Sequence, residues 1–343
     1  MRDERPAPVR RTTIYDIARI ADTSASAVSS VLNGTWRKRR ISQKLADRVT
    51  AIAEREGYSA HAQASLLRRS SSNVIGMIVP KYDNRYFAAI AEQFEAMARA
   101  RGLFPVITCT RREPELELEA AKELVAFRAQ TLIATGATDP ERITALCRAA
   151  GVRSINLDLP GTSAPSVISD NYAGARTLTD VLLKRCREDL GLSGALYFVG
   201  GRRNDSNTRA RLKGFLDVHR EKGLTVPPEQ ILIPGYSGVK TEQSLRGLVW
   251  GEPIGLFVNS TIALDGVVRW LGELAPEAAA LARYGCFDYD PFAFRLPGSV
   301  AMIQQDSSAM LDRVFQLHEA RESGEETITI PCILHVRDTP RAD

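Results

Sequence analysis

No apolar run in this chain approaches the ~18 residues that span a membrane. The opening residues, MRDERPAPVRRTT, carry charge but no apolar segment of the kind found in secretory signals. A cytoplasmic chain is therefore expected. Cysteine is scarce and ill-spaced: Cys109, Cys147, Cys186, Cys286 and Cys332 are odd in number, and no two form C-x-x-C. That spacing argues against a disulfide framework and the usual zinc or redox clips, and leaves buried reduced thiols. The four histidines, His61, His219, His318 and His335, stand apart from one another. No Walker loop or G-x-S-x-G elbow occurs, and GGRRND (200–205) lacks the full G-x-G-x-x-G pattern. Neither an enzyme nor a cofactor or metal site is expected.

What is present is an ordinary globular composition, 343 residues with 44% hydrophobic and 25% charged, enough for two or three domains. The net charge of +4 is unevenly spread, because residues 1–72 hold 14 Lys/Arg against 7 Asp/Glu. A basic head on a mildly acidic body suits a module that binds a polyanion. After a tail (1–11), residues 12–58 read as three short helices. Thr13 with Asp16 makes a capping-box pattern before TIYDIARIA, Ser24 precedes ASAVSSVL, and Ser42 precedes QKLADRVTAIAEREG. Ile14, Ile17, Ala18 and Ala21 share one face of the first helix. Residues 59–73 end in three serines and have linker composition.

From Val74 onward, apolar strands alternate with helical stretches: VIGMIVP, FPVITCT, TLIATGA and SINLDLP, then ALYFVGG, QILIPGY, PIGLFVN, ARYGCFD and VAMIQQD. This alternation predicts parallel sheets covered on both faces. Two doubly wound units side by side would leave a cleft at the carboxyl ends of their strands, where ligands bind in open α/β sheets.

The stretch TIYDIARIADTSASAVSSVLNG, followed by RISQKLADRVTAIAEREGYSAHAQASLLR and VIGMIVP, resembles the LacI/GalR regulators. The likeness continues through INLDLP, VISDN, RARLKGF, LFVNSTIAL and IQQD, covering roughly residues 12–338. The Thr-Trp step before RKRR looks most similar to the fructose-responsive subgroup. The resemblance implies an all-α helix-turn-helix head (12–58), a hinge helix and linker (59–73), and a periplasmic-binding-protein-like α/β body (74–343). The body would divide into approximate subdomains 74–172 plus 302–326 and 173–301 plus 327–340.

For the head, the resemblance places Ala25, Ser26 and Ser30 against bases and Ser29 nearer the backbone, with Thr13, Tyr15 and Asn33 close to DNA. For Ser26 and Ser30 a plain helix-surface role stays open. Small side chains offer little bidentate readout, so DNA shape would carry more of the specificity. Arg37, Lys38, Arg39 and Arg40 suit phosphate contacts, which position without reading sequence. His61, Ala64 and Leu67 fall in the hinge, where Leu67 matches the leucine that wedges into the minor groove.

For the body, the resemblance implies a sugar or sugar-phosphate effector, with fructose or fructose 1-phosphate suggested by the subgroup likeness. Arg211, Asp158, Asn259, Asp288 and Gln305 match pocket positions, Tyr236 offers a ring face, and Asp83 and Asn84 fit the cleft mouth. Arg111, with Arg202 and Arg203, could hold a phosphate, or each could be a surface arginine. The expected partners are palindromic operator DNA, the effector and a second copy of the chain in a homodimer, a tetramer remaining open. A transport-type binding protein and an enzyme on the same scaffold are the competing classes.

Overall fold

The computed structural model describes residues 12–58, 72–248, 251–320 and 324–337. Its contacts divide the chain into two units between Ser72 and Asn73. The tail (1–11) and the hinge expected before Ser72, with His61, Ala64 and Leu67, lie outside the described residues.

The head holds α1 (Ile14–Ile20), α2 (Ala25–Leu32) and α3 (Gln43–Arg55). Thr13 and Asp16 form the capping box reciprocally, and the side chains of Ser24 and Ser42 cap the next two helices. Each cap satisfies amide groups that a helix start leaves orphaned. Ile17, Val28, Val31, Val49 and Ile52 make one core, with Trp36 and Ile41 of the connecting loop packed against it.

The body contains two six-stranded sheets, ordered β11-β5-β4-β3-β1-β2 and β12-β10-β9-β8-β6-β7. The first comprises β1 (Val74–Val79), β2 (Phe104–Cys109), β3 (Thr131–Thr135), β4 (Arg153–Leu157), β5 (Ser166–Ser169) and β11 (Thr327–Ile330). The second comprises β6 (Tyr197–Val199), β7 (Ile231–Leu232), β8 (Ile254–Val258), β9 (Ala282–Phe287), β10 (Ser299–Gln304) and β12 (Ile333–Val336). Every pairing is parallel except β12 against β10. The β1 strand is buried along its whole length, as a strand covered on both faces must be, and its unbroken apolar run follows from that. Helices α4 (Arg85–Ala100), α5 (Pro114–Ala126), α6 (Pro140–Ala149) and α12 (Ser307–Ala320) belong to the first sheet. Phe94 and Phe315 stack at 5.8 Å in its core. Helices α7 (Asn171–Leu190), α8 (Ser206–Glu221), α9 (Gly238–Leu245), α10 (Thr261–Gly272) and the short α11 (Pro276–Ala279) cover the second, where Phe198, Phe215 and Phe257 cluster.

The two doubly wound halves are as expected, but their seams differ from the approximate division. Residues 302–304 lie in β10 of the second sheet, and Thr327–Ile330 pairs with Ser166–Ser169 of the first. The chain therefore crosses between halves at Asp170, at Gln305–Asp306 and at Pro331–Cys332. The Asp170 amide donates to the Ile330 carbonyl at 2.8 Å, which binds the first crossing to the third. The strand expected across QILIPGY shrinks to two residues, because Pro234 has no amide to extend the ladder.

Candidate functional site

In the head, Tyr15 is 74% exposed, and Ser26 and the run Arg37–Arg40 are also exposed. The Arg37 guanidinium lies 5.0 Å from the Trp36 ring, so an exposed cationic loop is anchored on a residue of the core. Thr13 spends both its amide and its hydroxyl on Asp16. The Asn33 side chain donates to the Ser29 carbonyl and hydroxyl, which ties the last turn of α2 together. Ala25 is half-buried against the core. Ser30 is 8% exposed, and its hydroxyl donates to the Ser26 carbonyl at 2.8 Å. The hydroxyl hydrogen is thereby committed to its own helix, and only the acceptor capacity of the oxygen is left. Ser26 and Ser29 remain at the surface of α2.

In the body, the carboxyl ends of both sheets face one cleft. Asp158 follows β4 and Asp288 follows β9, each in the left-handed region at φ 74° and φ 78°. The short polar side chain of Asp tolerates that conformation better than most. The bend lifts each carboxylate off its strand end into the gap. Asp158 accepts from Tyr86 Oη at 3.3 Å and from Asn207 Nδ2 at 3.2 Å. Asn171 donates to Asn207 Oδ1, and Arg211 donates to Asn171 Oδ1 at 2.7 Å and to the Asn259 carbonyl at 2.6 Å. One hydrogen-bonded chain thus runs from α8 through the start of α7 to Asp158 in the other half. Arg211 is 3% exposed, with its guanidinium 3.6 Å from the Phe287 ring centroid. Gln305, at the second crossing, donates to Asp288 and accepts from Ser169 at 2.7 Å.

Burial pushes the Asp158 carboxyl up to about 6, against the pull of Arg112 and Arg211. Asp288 is raised for the same reason, again opposed by Arg211. Tyr236 donates to Asp205, and its ring is flanked by Arg112 at 5.1 Å and Arg202 at 5.6 Å. The space enclosed by these groups is only about 30 Å³, room for about one water. An outer groove of about 640 Å³ opens beside it, lined by Lys81, Asp83, Asn84, Arg85 and Asp265 among others. Across that groove Arg85 donates to Asp290 at 2.8 Å.

The model for bacterial regulatory proteins of the lacI family matches residues 13–60, and that for a periplasmic binding protein domain matches residues 75–294. The chain belongs to the lacI family of bacterial regulatory proteins. Within the family it is 58% identical over 195 residues to the ribitol operon repressor of Klebsiella aerogenes, covering 57% of this chain and 72% of that one. It is 30% identical over 215 residues to the fructose operon regulatory protein of Vibrio cholerae, covering 62% and 64%. The lac repressor dimer bound to operator and an anti-inducer shares its fold, with a TM-score of 0.75 at 22% identity over 96% of this chain and 98% of that one. Among the described residues no helix is long and apolar enough to cross a membrane.

Most of the family-matched body residues meet at the inner cleft: Asn84, Asp158, Arg211, Tyr236, Asp288 and Gln305 all line it. Asn259 is fully buried beneath, with Nδ2 donating to Thr208 and Oδ1 unpartnered. Asp83 is exposed at the outer groove, paired with Lys81. Arg111 and Arg112 both adopt positive φ, at 54° and 59°, and this turn leaves Arg111 exposed while Arg112 reaches the cleft. Tyr86, Asp205 and Asn207 also line the cleft, and the sequence pattern does not single them out. Asp205 and Asn207 could have been sought at the helix start after GGRRN, but Tyr86 has only its place in the first turn of α4.

Proposed function

We propose that this chain is a transcription repressor of an operon for a sugar or sugar alcohol, that it binds a palindromic operator as a homodimer, and that a small neutral polyol held in the cleft releases it. The observation that carries the effector class is the concentration of carboxylates: Asp158, Asp205 and Asp288 all line the inner cleft. Carboxylates and amides at strand ends accept from and donate to hydroxyl groups directionally. Three acidic groups against two guanidinium groups, Arg112 and Arg211, leave the inner cleft without the cationic excess that a phosphate dianion needs. The 58% identity with a ribitol operon repressor supports the same class, and ribitol is the first ligand to try. The fructose or fructose 1-phosphate effector expected from the head is the second reading, favoured by the guanidinium groups of Arg112 and Arg202, at 5.1 Å and 5.6 Å from the Tyr236 ring.

With room for about one water, the inner cleft must part before a polyol enters. The effector therefore acts through its differential affinity for two arrangements of the halves. Calorimetry with ribitol, D-fructose and fructose 1-phosphate, paired with operator release followed by fluorescence anisotropy, tests this. Ribitol is expected to bind and to release DNA. Binding of fructose 1-phosphate alone overturns the polyol assignment, and operator affinity unchanged by every ligand overturns the regulatory one.

A further inference from the structure

Away from the cleft, the second half carries a cavity of about 630 Å³, within the size range of small-molecule pockets. It lies where the ends of α7 and α10, the short α11 and the starts of β9 and β10 come together. Its wall is largely apolar, formed by Val268, Leu271, Pro276, Ala279, Leu296 and Val300. Among the described residues the lining also holds three arginines, Arg185, Arg283 and Arg337, and a single carboxylate, Asp189. Asp189 accepts from Arg185 at 3.3 Å and from Arg283 at 2.9 Å. One anion is shared between two guanidinium groups, so the lining keeps an excess of positive charge.

Tyr284 and Ser299 face each other as register partners on β9 and β10, and both are buried, at 0% and 4% exposure. Ser299 hydrogen-bonds the Tyr284 hydroxyl, and the buried Arg185 Nε has no hydrogen-bond partner among the described residues. Buried donors left without acceptors are rare in folded proteins, because each has given up its water. Here Arg185 Nε and the Tyr284–Ser299 hydroxyl pair belong to residues that line one cavity. What Arg185 Nε lacks is an acceptor, and the surplus cations favour one that carries negative charge.

We propose that this cavity is a second ligand site, taking a small amphipathic carboxylate whose aromatic or branched apolar body lies on the wall and whose oxygens meet these donors. A polyol does not suit it, since most of the wall is apolar and offers its carbon-bound hydroxyls no partners. The site is built from the second half alone, so its occupancy does not depend on which effector the cleft holds.

The test uses the full-length protein with benzoate and phenylacetate as probes and benzyl alcohol as the uncharged control. Thermal denaturation is read first, because a ligand of the folded state raises the melting temperature by mass action. Both carboxylates are expected to raise it in a saturable way, and benzyl alcohol is not. Gly272→Phe is the blocking variant: Gly272 lines the cavity, and a Cβ there meets nothing within 4 Å, so the substitution adds bulk at the wall without a clash at its base. It is expected to abolish the carboxylate shift and leave the cleft ligand's shift intact. Tyr284→Phe keeps the ring and removes one donor. It is expected to weaken benzoate several-fold while the unliganded protein melts no lower than wild type. No shift with either carboxylate overturns the proposal, as does a shift that persists in Gly272→Phe. If Gly272→Phe fails to fold, unchanged benzoate affinity in Tyr284→Phe does so instead. A dimer weakened by Gly272→Phe, with wild type indifferent to carboxylates, assigns the cavity to a subunit contact and overturns it as well.

Discussion

At the scale of single residues, Asp158 joins conformation, charge and function. Its left-handed backbone puts the carboxyl in the cleft, and burial there holds the proton up to about pH 6. In the unfolded chain the same carboxyl titrates near 3.8, so the folded state is the better proton acceptor. The stabilisation is fully present below pH 3.8 and is lost as the pH rises through 6, an effect on the order of 3 kcal/mol. Asp158→Asn keeps an acceptor for Tyr86 and Asn207 but cannot ionise. Urea titrations between about pH 4 and pH 7 should show the body of the wild type weakening as the pH rises, and the variant following a flatter course. Asp288 titrates with the same sign, so some slope should survive. Ser30 makes a contrasting case, because its hydroxyl is satisfied inside α2. Ser30→Ala is expected to leave operator affinity within a factor of about 2, whereas an interaction worth a good base contact would cost ~1–3 kcal/mol. Gel-shift titrations distinguish the two outcomes.

Among the elements, the head was the most legible. Its signals are local: a cap three residues from its partner, apolar residues on one helical face, and a basic run bounded by Trp36 and Ile41. Thr13→Ala should lower the stability of α1 by about 1 kcal/mol, the usual value of an N-cap, seen as faster amide exchange over 14–20 in the full chain. Replacing Arg37, Lys38, Arg39 and Arg40 with Gln should weaken all DNA alike. It should also flatten the plot of log K against log salt by ~0.9 for each phosphate that is no longer neutralised. Short strands were less legible. Strands β5, β11 and β12 have four residues each, too few for a periodic signal. The partner of β11 is β5, far earlier in the sequence, so the alternation of strands and helices places β11 in the wrong half. The cleft shows the same division. Asp158 and Arg211 announce themselves by family-matched motifs, but the choice of Arg112 over Arg111 depends on two left-handed residues that no pattern of side chains foretells.

At the scale of the whole body, the ion pair of Arg85 and Asp290 spans the outer groove and the chain from Arg211 to Asp158 spans the inner one. Both hold the halves together without a ligand. The outer pair is half in water, Arg85 being 52% exposed, and pairs of that kind contribute ~0–1 kcal/mol. Asp290→Asn should therefore shift the balance toward parted halves by at most about fivefold. That should appear as a small rise in the radius of gyration by X-ray scattering, which added effector would change further. An unchanged scattering curve together with unchanged effector affinity would show that the pair plays no part in closure.

The three crossings at Asp170, Gln305–Asp306 and Pro331–Cys332 have a mechanical consequence. A single tether would let two lobes twist, slide and swing independently. Three short tethers, with the first bonded to the third, remove nearly all of those freedoms and leave one angle to vary. A body with one coordinate spends little entropy in choosing its arrangement. Whatever free energy a small molecule supplies in the cleft is then delivered to that angle rather than dispersed over many motions.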